Sequence, residues 1–169
     1  MPKVVVGVSG GMGGLGALHR AAAEARLRRV ELCAVLAWQA PDGGPGSRTS
    51  RGVPVQVLCR SAAADRLREV LDAAFGAGAP AFPVTGLTVR GTAGAALVDV
   101  ACDPDDLLVV GAGPRGPLRR LLRPSMARYV LAHAACPVLT VPPSPLRAAY
   151  EAARRRNSWR LPLDVRELA

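Results

Sequence analysis

Residues 107–141, LLVVGAGPRGPLRRLLRPSMARYVLAHAACPVLTV, decide how the chain folds. The apolar run 107–110 has no polar alternation, which is the pattern of a strand buried on both faces. A loop of glycine, proline and arginine follows. The spacing then predicts a helix over 125–133 and a second apolar strand opened by Cys136-Pro137. Strand, loop, helix and strand in that order make a parallel unit, and parallel sheets take ligands beyond the carboxyl ends of their strands.

The same alternation extends back to the start of the chain. Residues 4–8 form a short β-branched run, followed by the loop SGGMGGLG at 9–16. Leu15, Leu18, Ala22 and Ala25 recur at helical spacing, with His19, Arg20, Glu24 and Arg28 left for the other face, so 15–29 is predicted helical. Residues 32–38 (LCAVLAW) read as the second strand, and 42–52 (DGGPGSRTSRG) as a loop crowded with breakers. Ser61 can cap a helix running to about residue 75, whose core positions are Ala63, Leu67, Val70, Leu71 and Ala74. A third strand is expected at 84–89, a third helix at 92–102, and the turn 103–106 returns the chain to residue 107. Five short strands separated by helices imply an open parallel sheet with right-handed crossovers and helices on both faces.

Composition narrows the function classes. A chain of 169 residues is long enough for one domain with a real core. Its hydrophobic share of 50% leans on alanine and only 4% is aromatic, so small and branched side chains must do the packing. The net charge of +9 suggests polyanion affinity, yet Lys3 is the only lysine among 22 basic residues. Such a skew, beside 18 Gly and 15 Pro, fits a base-composition bias, and no nucleic-acid-reading module accompanies it. Nucleic acid is therefore not an expected partner. Cys33, Cys59, Cys102 and Cys136 form no C-x-x-C pair, and three of them lie in or beside apolar segments, where buried free thiols are expected. The first strand begins too early to leave room for a signal peptide, and no run approaches membrane-spanning length, so a cytoplasmic protein is expected.

Two short motifs compete for the first loop. Residues 11–16 satisfy G-x-G-x-x-G between a strand and a helix, but the acidic residue due at the end of the second strand is missing from Ala37-Trp38-Gln39. Residues 7–11 satisfy G-x-S-x-G, the nucleophile elbow of hydrolases, and a serine there needs a histidine and an acid. His133, Asp99, Asp103 and Asp106 all fall at the opposite end of the predicted sheet. His19 reads as an exposed helix residue and His133 as a helix-end residue that favours the carbonyl-rich terminus.

The opening stretch closely resembles the universal stress protein family. Members carry a strand ending VVG, a loop G-x2-G-x9-G-[ST], a helix, and a last strand introduced by CPV. Here Val109-Val110-Gly111 is the strand end, Ser125 takes the hydroxyl position, and Cys136-Pro137-Val138 opens the last strand. VVVGVSGG at the start and the strand ending Ala37-Trp38 are family-like too. Pro114 and Pro124 stand at the other two glycine positions, and proline has no N–H to offer a phosphate. Ser9 replaces the usual aspartate after the first strand, and Ala37 the frequent valine beside the adenine.

The resemblance implies an adenine nucleotide alpha hydrolase-like sheet of order 3-2-1-4-5 in a domain spanning residues 1–142. It also implies a stress-response role with a weak or altered ATP site, magnesium accompanying the nucleotide. Gly111, Gly113, Arg115 and Ser125, with Met126 beside them, would hold phosphate, and Ser9 and Ala37 would border the nucleoside. At most slow ATP hydrolysis is expected. Family dimers commonly form through the last strand, so a homodimer is the expected assembly. The alternative is a signalling or interaction module of the same fold that has lost nucleotide and binds another protein. Residues 143–169 form an arginine-rich extension with Arg154-Arg155-Arg156 and Trp159. A short helix is expected there at 148–156, in a solvated tail or an arm that packs on a partner subunit or an acidic surface.

Overall fold

The computed structural model describes residues 1–9, 13–40, 54–76, 80, 82–112 and 126–142. In chain order the elements are β1 (Lys3–Gly7), α1 (Gly13–Arg28), β2 (Glu31–Trp38), α2 (Val55–Phe75), β3 (Val84–Arg90), α3 (Ala93–Val100), β4 (Leu107–Gly111), α4 (Met126–His133) and β5 (Val138–Val141). The strands form one five-stranded sheet in the order β3-β2-β1-β4-β5, and every pairing is parallel. Both the order and the class match expectation.

The strands buried on both faces are those without polar alternation, and their odd and even residues feed two separate cores. Val4, Val6, Leu32, Ala34, Leu107 and Val109 pack beneath α1 and α2, joined by Leu18, Ala21 and Ala25 of α1 and by Leu67 of α2. Val5, Cys33, Val35, Leu108 and Val110 face the other way, against Ala96 and Leu97 of α3 and Val130 of α4. Burying one Leu or Val side chain is worth about 1.5–3 kcal/mol, so two such layers carry the stability that few aromatics could supply. Close approach replaces bulk at two contacts. A Cβ on Gly7 would lie 2.8 Å from Leu97 Cδ1, and one on Gly94 would lie 2.7 Å from Tyr129 Cδ1, so α3 approaches β1, and α4 approaches α3, closely enough that an added side chain would make Leu97 or Tyr129 shift.

Two expectations are corrected. The second helix starts at Val55, not at Ser61, and Ser61 is an exposed residue inside it. Pro54 holds the N-cap position with φ −58°, and its carbonyl accepts from the N–H groups of Val57 (3.0 Å) and Leu58 (3.4 Å). Proline pre-sets the backbone for a helix start, and nothing between Pro54 and Ser61 breaks the helix, so the earlier signal wins. Burial of three thiols holds for two. Cys33 and Cys136 are buried, Cys59 is half-buried and Cys102 is exposed, all four being free. Cys102 falls outside the packed layer because α3 ends at Val100, before the predicted residue 102.

The amino end of the sheet is tied by a buried carboxylate. Asp106, fully buried, accepts from the Lys3 backbone N–H at 2.9 Å, and its second oxygen lies 3.3 Å from Lys3 Nζ. The Asp103 N–H approaches that same second oxygen at 3.4 Å. These bonds pin the start of β1 to the start of β4.

Candidate functional site

The site expected from sequence lies at the other end of the sheet, where β1 and β4 run out. Val6 is paired with Val109 and Gly7 with Val35. Counting on, Ser9 comes level with Ala37 on one side and with Ala112 on the other. Helices α1 and α4, which follow β1 and β4 in the chain, pack on opposite faces of the sheet, the arrangement in which parallel sheets take ligands between two strand ends. Ser9 is exposed there, while Ala37, Gly111 and Met126 are half-buried. The fold therefore gathers Ser9, Ala37 and Gly111 at one mouth, with Met126 opening α4 from the face below. Gly113, Arg115 and Ser125 lie outside the described residues, as do Pro114 and Pro124.

Backbone constraints shape this mouth. The Val8 N–H donates to Val35 O at 2.9 Å and the Ala112 N–H to Val141 O at 2.8 Å, so both are committed to the sheet. Only donors beyond them are free to meet a ligand. Helix α1 enters at very short range: a Cβ on Gly14 would lie 3.2 Å from Ser9 N, 3.3 Å from Ser9 O and 3.5 Å from Ser9 Oγ. Glycine at this position lets the helix start directly over Ser9, holding the serine at the lip. The expected loop at 9–16 gives way to helix from Gly13, and Gly14 makes a specific contact that is not singled out from sequence. The signal was available in the run of glycines leading into a helix.

The described mouth offers no machinery for fast proton transfer. His133 ends α4 at the far pole, where its Nδ1 lies 2.8 Å from Tyr129 O and its ring stacks on Tyr129 at 4.2 Å. Asp106 is also at that pole. His19 is exposed on α1 with its ring edge toward Phe75. A Ser9–His–Asp relay thus does not assemble. Among the described residues no cluster of His, Cys, Asp or Glu could hold a metal ion, and the mouth has no carboxylate.

The perturbed groups belong instead to the amino pole. Burial pushes the Cys33 thiol up to about 11, helped by Glu31. Burial also raises Cys136, with smaller contributions from the charges of Asp106 and Cys102. For Lys3, burial works to lower the ammonium, but the hydrogen bond and charge of Asp106 outweigh it and the net direction is upward. Asp106 lies at the amino pole as expected, and its structural role there, holding Lys3, is not anticipated from sequence. Its position directly before a buried strand was the clue.

A fully parallel sheet of order 3-2-1-4-5, whose strand order reverses between strands one and four, is the architecture of α/β proteins that take ligands at a topological switch point. The particular family follows from comparison. The model of the universal stress protein family matches residues 1–142, and the chain belongs to that family. A universal stress protein solved in complex with cAMP is 28% identical, with a TM-score of 0.63 over 85% of this chain and 98% of its own. The universal stress protein UspA from Lactobacillus plantarum is 20% identical, with a TM-score of 0.58 over 83% of this chain and 97% of its own. One from Archaeoglobus fulgidus is 24% identical, with a TM-score of 0.52 over 83% of this chain and 98% of its own. No curated protein matches the chain. Among the described residues no helix is long and apolar enough to cross a membrane.

Proposed function

We propose that this universal stress protein is a cytoplasmic stress-response protein that takes an adenine nucleotide at the β1/β4 crevice, bordered by Ser9 and Ala37 on the nucleoside side. Gly111, Gly113, Arg115, Ser125 and Met126 form the phosphate side. The observation that carries this reading is the convergence of Ser9, Ala37 and Gly111 on one mouth. The 28%-identical relative in complex with cAMP supports the adenine class. Pro114 and Pro124 remove two backbone donors, and Ala112 is already committed to Val141, so affinity for a triphosphate is expected to be weak. The same shortage favours a second reading, a protein-interaction module of this fold that has lost nucleotide.

Calorimetric titration with ATP, with and without magnesium, and separately with AMP and cAMP, distinguishes the two. Saturable heat that weakens about tenfold or more in Arg115→Ala and Ser125→Ala supports the nucleotide site, since a charge-assisted bond is worth about 1.5–3 kcal/mol. Absence of saturable heat with any of the probes at millimolar concentration supports the interaction module.

A further inference from the structure

Among the described residues, a second group of reactive side chains lies at the opposite pole, on the α3/α4 face of the sheet. The strand registers place it. Val4 is paired with Leu107 and Leu108 with Val138, so counting back sets Lys3 level with Asp106 and Asp106 level with Cys136. Neighbouring strands are about 4.8 Å apart, which makes Lys3, Asp106 and Cys136 a continuous row. Asp106 and Cys136 share the facing of Leu108 and Val138, toward α3 and α4.

Cys102 is carried to the same row by the end of α3. Ala101 is fully buried in the core that also contains Cys136, and its N–H closes the helix on Leu97 O at 2.9 Å. The chain then turns over Asp106. The Asp103 N–H approaches Asp106 Oδ2 at 3.4 Å, and the Asp106 N–H donates to Asp103 O at 3.0 Å. Cys102 directly precedes Asp103, about 3.8 Å away along the chain. It is exposed and lies within electrostatic reach of both Lys3 and Cys136, the two residues that flank Asp106 in the row. An accessible thiol therefore lies in the turn over Asp106, and a second, buried one lies in the core on the same face of the sheet. Cys33 also faces this core but is only 2% exposed, and Cys59 is on α2, across the sheet.

We propose that Cys102 and Cys136 are an oxidation site that forms an intramolecular disulfide when the protein meets a peroxide. The Cys102 thiolate attacks one peroxide oxygen, the O–O bond breaks, and the departing oxygen takes a proton and leaves as water or alcohol. The resulting sulfenic acid is attacked by the Cys136 sulfur, which forms the S–S bond, loses its proton and expels the hydroxyl as water. Two thiols are oxidised by two electrons and one peroxide is reduced. Bridging requires Cα atoms about 4.4–6.8 Å apart, and the segment that must adjust is the surface turn at residues 102–105 rather than a packed element. The closed ring spans residues 102–136, so it encloses β4, α4 and the segment between them and ties both ends of that unit together at the amino pole.

The test treats the reduced full chain with hydrogen peroxide, blocks remaining thiols with an alkylating agent, and maps peptides without reduction. Thiols titratable in denaturant are expected to fall from four to two. A peptide joining Cys102 to Cys136 should appear, lighter by two hydrogens than its parts. Cys102→Ser, an exposed replacement that leaves the core intact, should abolish the link and keep the remaining three thiols titratable, whereas Cys59→Ser should change neither the link nor its rate. Cys136→Ser should remove the link and leave Cys102 as a sulfenic acid trapped by dimedone. Links only between chains, a link through Cys33 or Cys59, or over-oxidised Cys102 with Cys136 still free would each overturn the assignment.

Discussion

At the scale of single residues, two positions carry more than their size suggests. Gly14 has a backbone neighbour, Ser9, where a side chain would go, and a backbone yields less readily than a side chain tip. Gly14→Ala is expected to destabilise the protein by about 1–3 kcal/mol in denaturant melts and to weaken any nucleotide binding in parallel, because α1 must back away from Ser9. Asp106→Ala removes the acceptor of the Lys3 N–H and the partner of the Lys3 ammonium. A loss of roughly 2–3 kcal/mol is expected, mostly from the buried hydrogen bonds, since the Lys3 side chain is 26% exposed and its ion pair is partly screened. The pair also sets a pH dependence. The Lys3 ammonium is held above its ordinary value of 10.5, so its contribution is complete below 10.5 and is lost as pH rises through the higher folded value. Melts of the native chain and of Lys3→Met should differ by a constant amount at neutral pH and converge in strong alkali. Cys33, raised to about 11 and buried, should stay unlabelled by thiol reagents at pH 8 until the chain unfolds, while Cys102 labels in the folded state.

At the scale of elements, the four helices and five strands of the described residues are largely legible because their apolar spacing is regular. Leu18, Ala22 and Ala25 of α1 and Ala63, Leu67 and Val70 of α2 are all buried as their spacing predicts. The ends were less legible. Ser61 looked like a cap, yet the helix had already begun behind Pro54, where no side-chain bond is needed to start it. Ser61→Ala is accordingly expected to shift stability by less than about 0.5 kcal/mol, against about 1 kcal/mol for a true cap. Thermal melts of the two forms would separate these values. In the same way Cys102 was expected within α3, and the helix stops short because Ala101 turns into the core with a ψ of 65°. Local sequence marks where an element can begin; neighbours decide where it does.

At the scale of the whole molecule, β5 is a four-residue edge strand, its Leu139 and Val141 packed against the α1/α2 core and its Val138 against the α3/α4 core, with only β4 as a hydrogen-bonded neighbour in the sheet. An exposed edge of this kind invites pairing with another strand. We propose that a second copy covers it. Sedimentation of the native chain should then report a dimer, and Thr140→Pro, which removes an edge N–H from an exposed position, should shift it to monomer while the far-UV spectrum is kept. A native chain that sediments as a monomer at tens of micromolar would reject this assembly.

The amino-acid sequence by itself determined the class of the sheet, the two-faced cores and the family, because each depends on order and spacing along the chain: apolar runs without alternation, helical periodicity, and Val109-Val110-Gly111 followed at a distance by Cys136-Pro137-Val138. Ser9, Ala37 and Gly111 could be named from that resemblance, but their convergence required the strand registers. Only the tertiary structure decided that Gly14 is pressed against Ser9, that Asp106 is buried under Lys3, and that Cys102 and Cys136 attend the same row. Each follows from how elements pack on one another, and its energy depends on distances and burial, which no local spacing encodes.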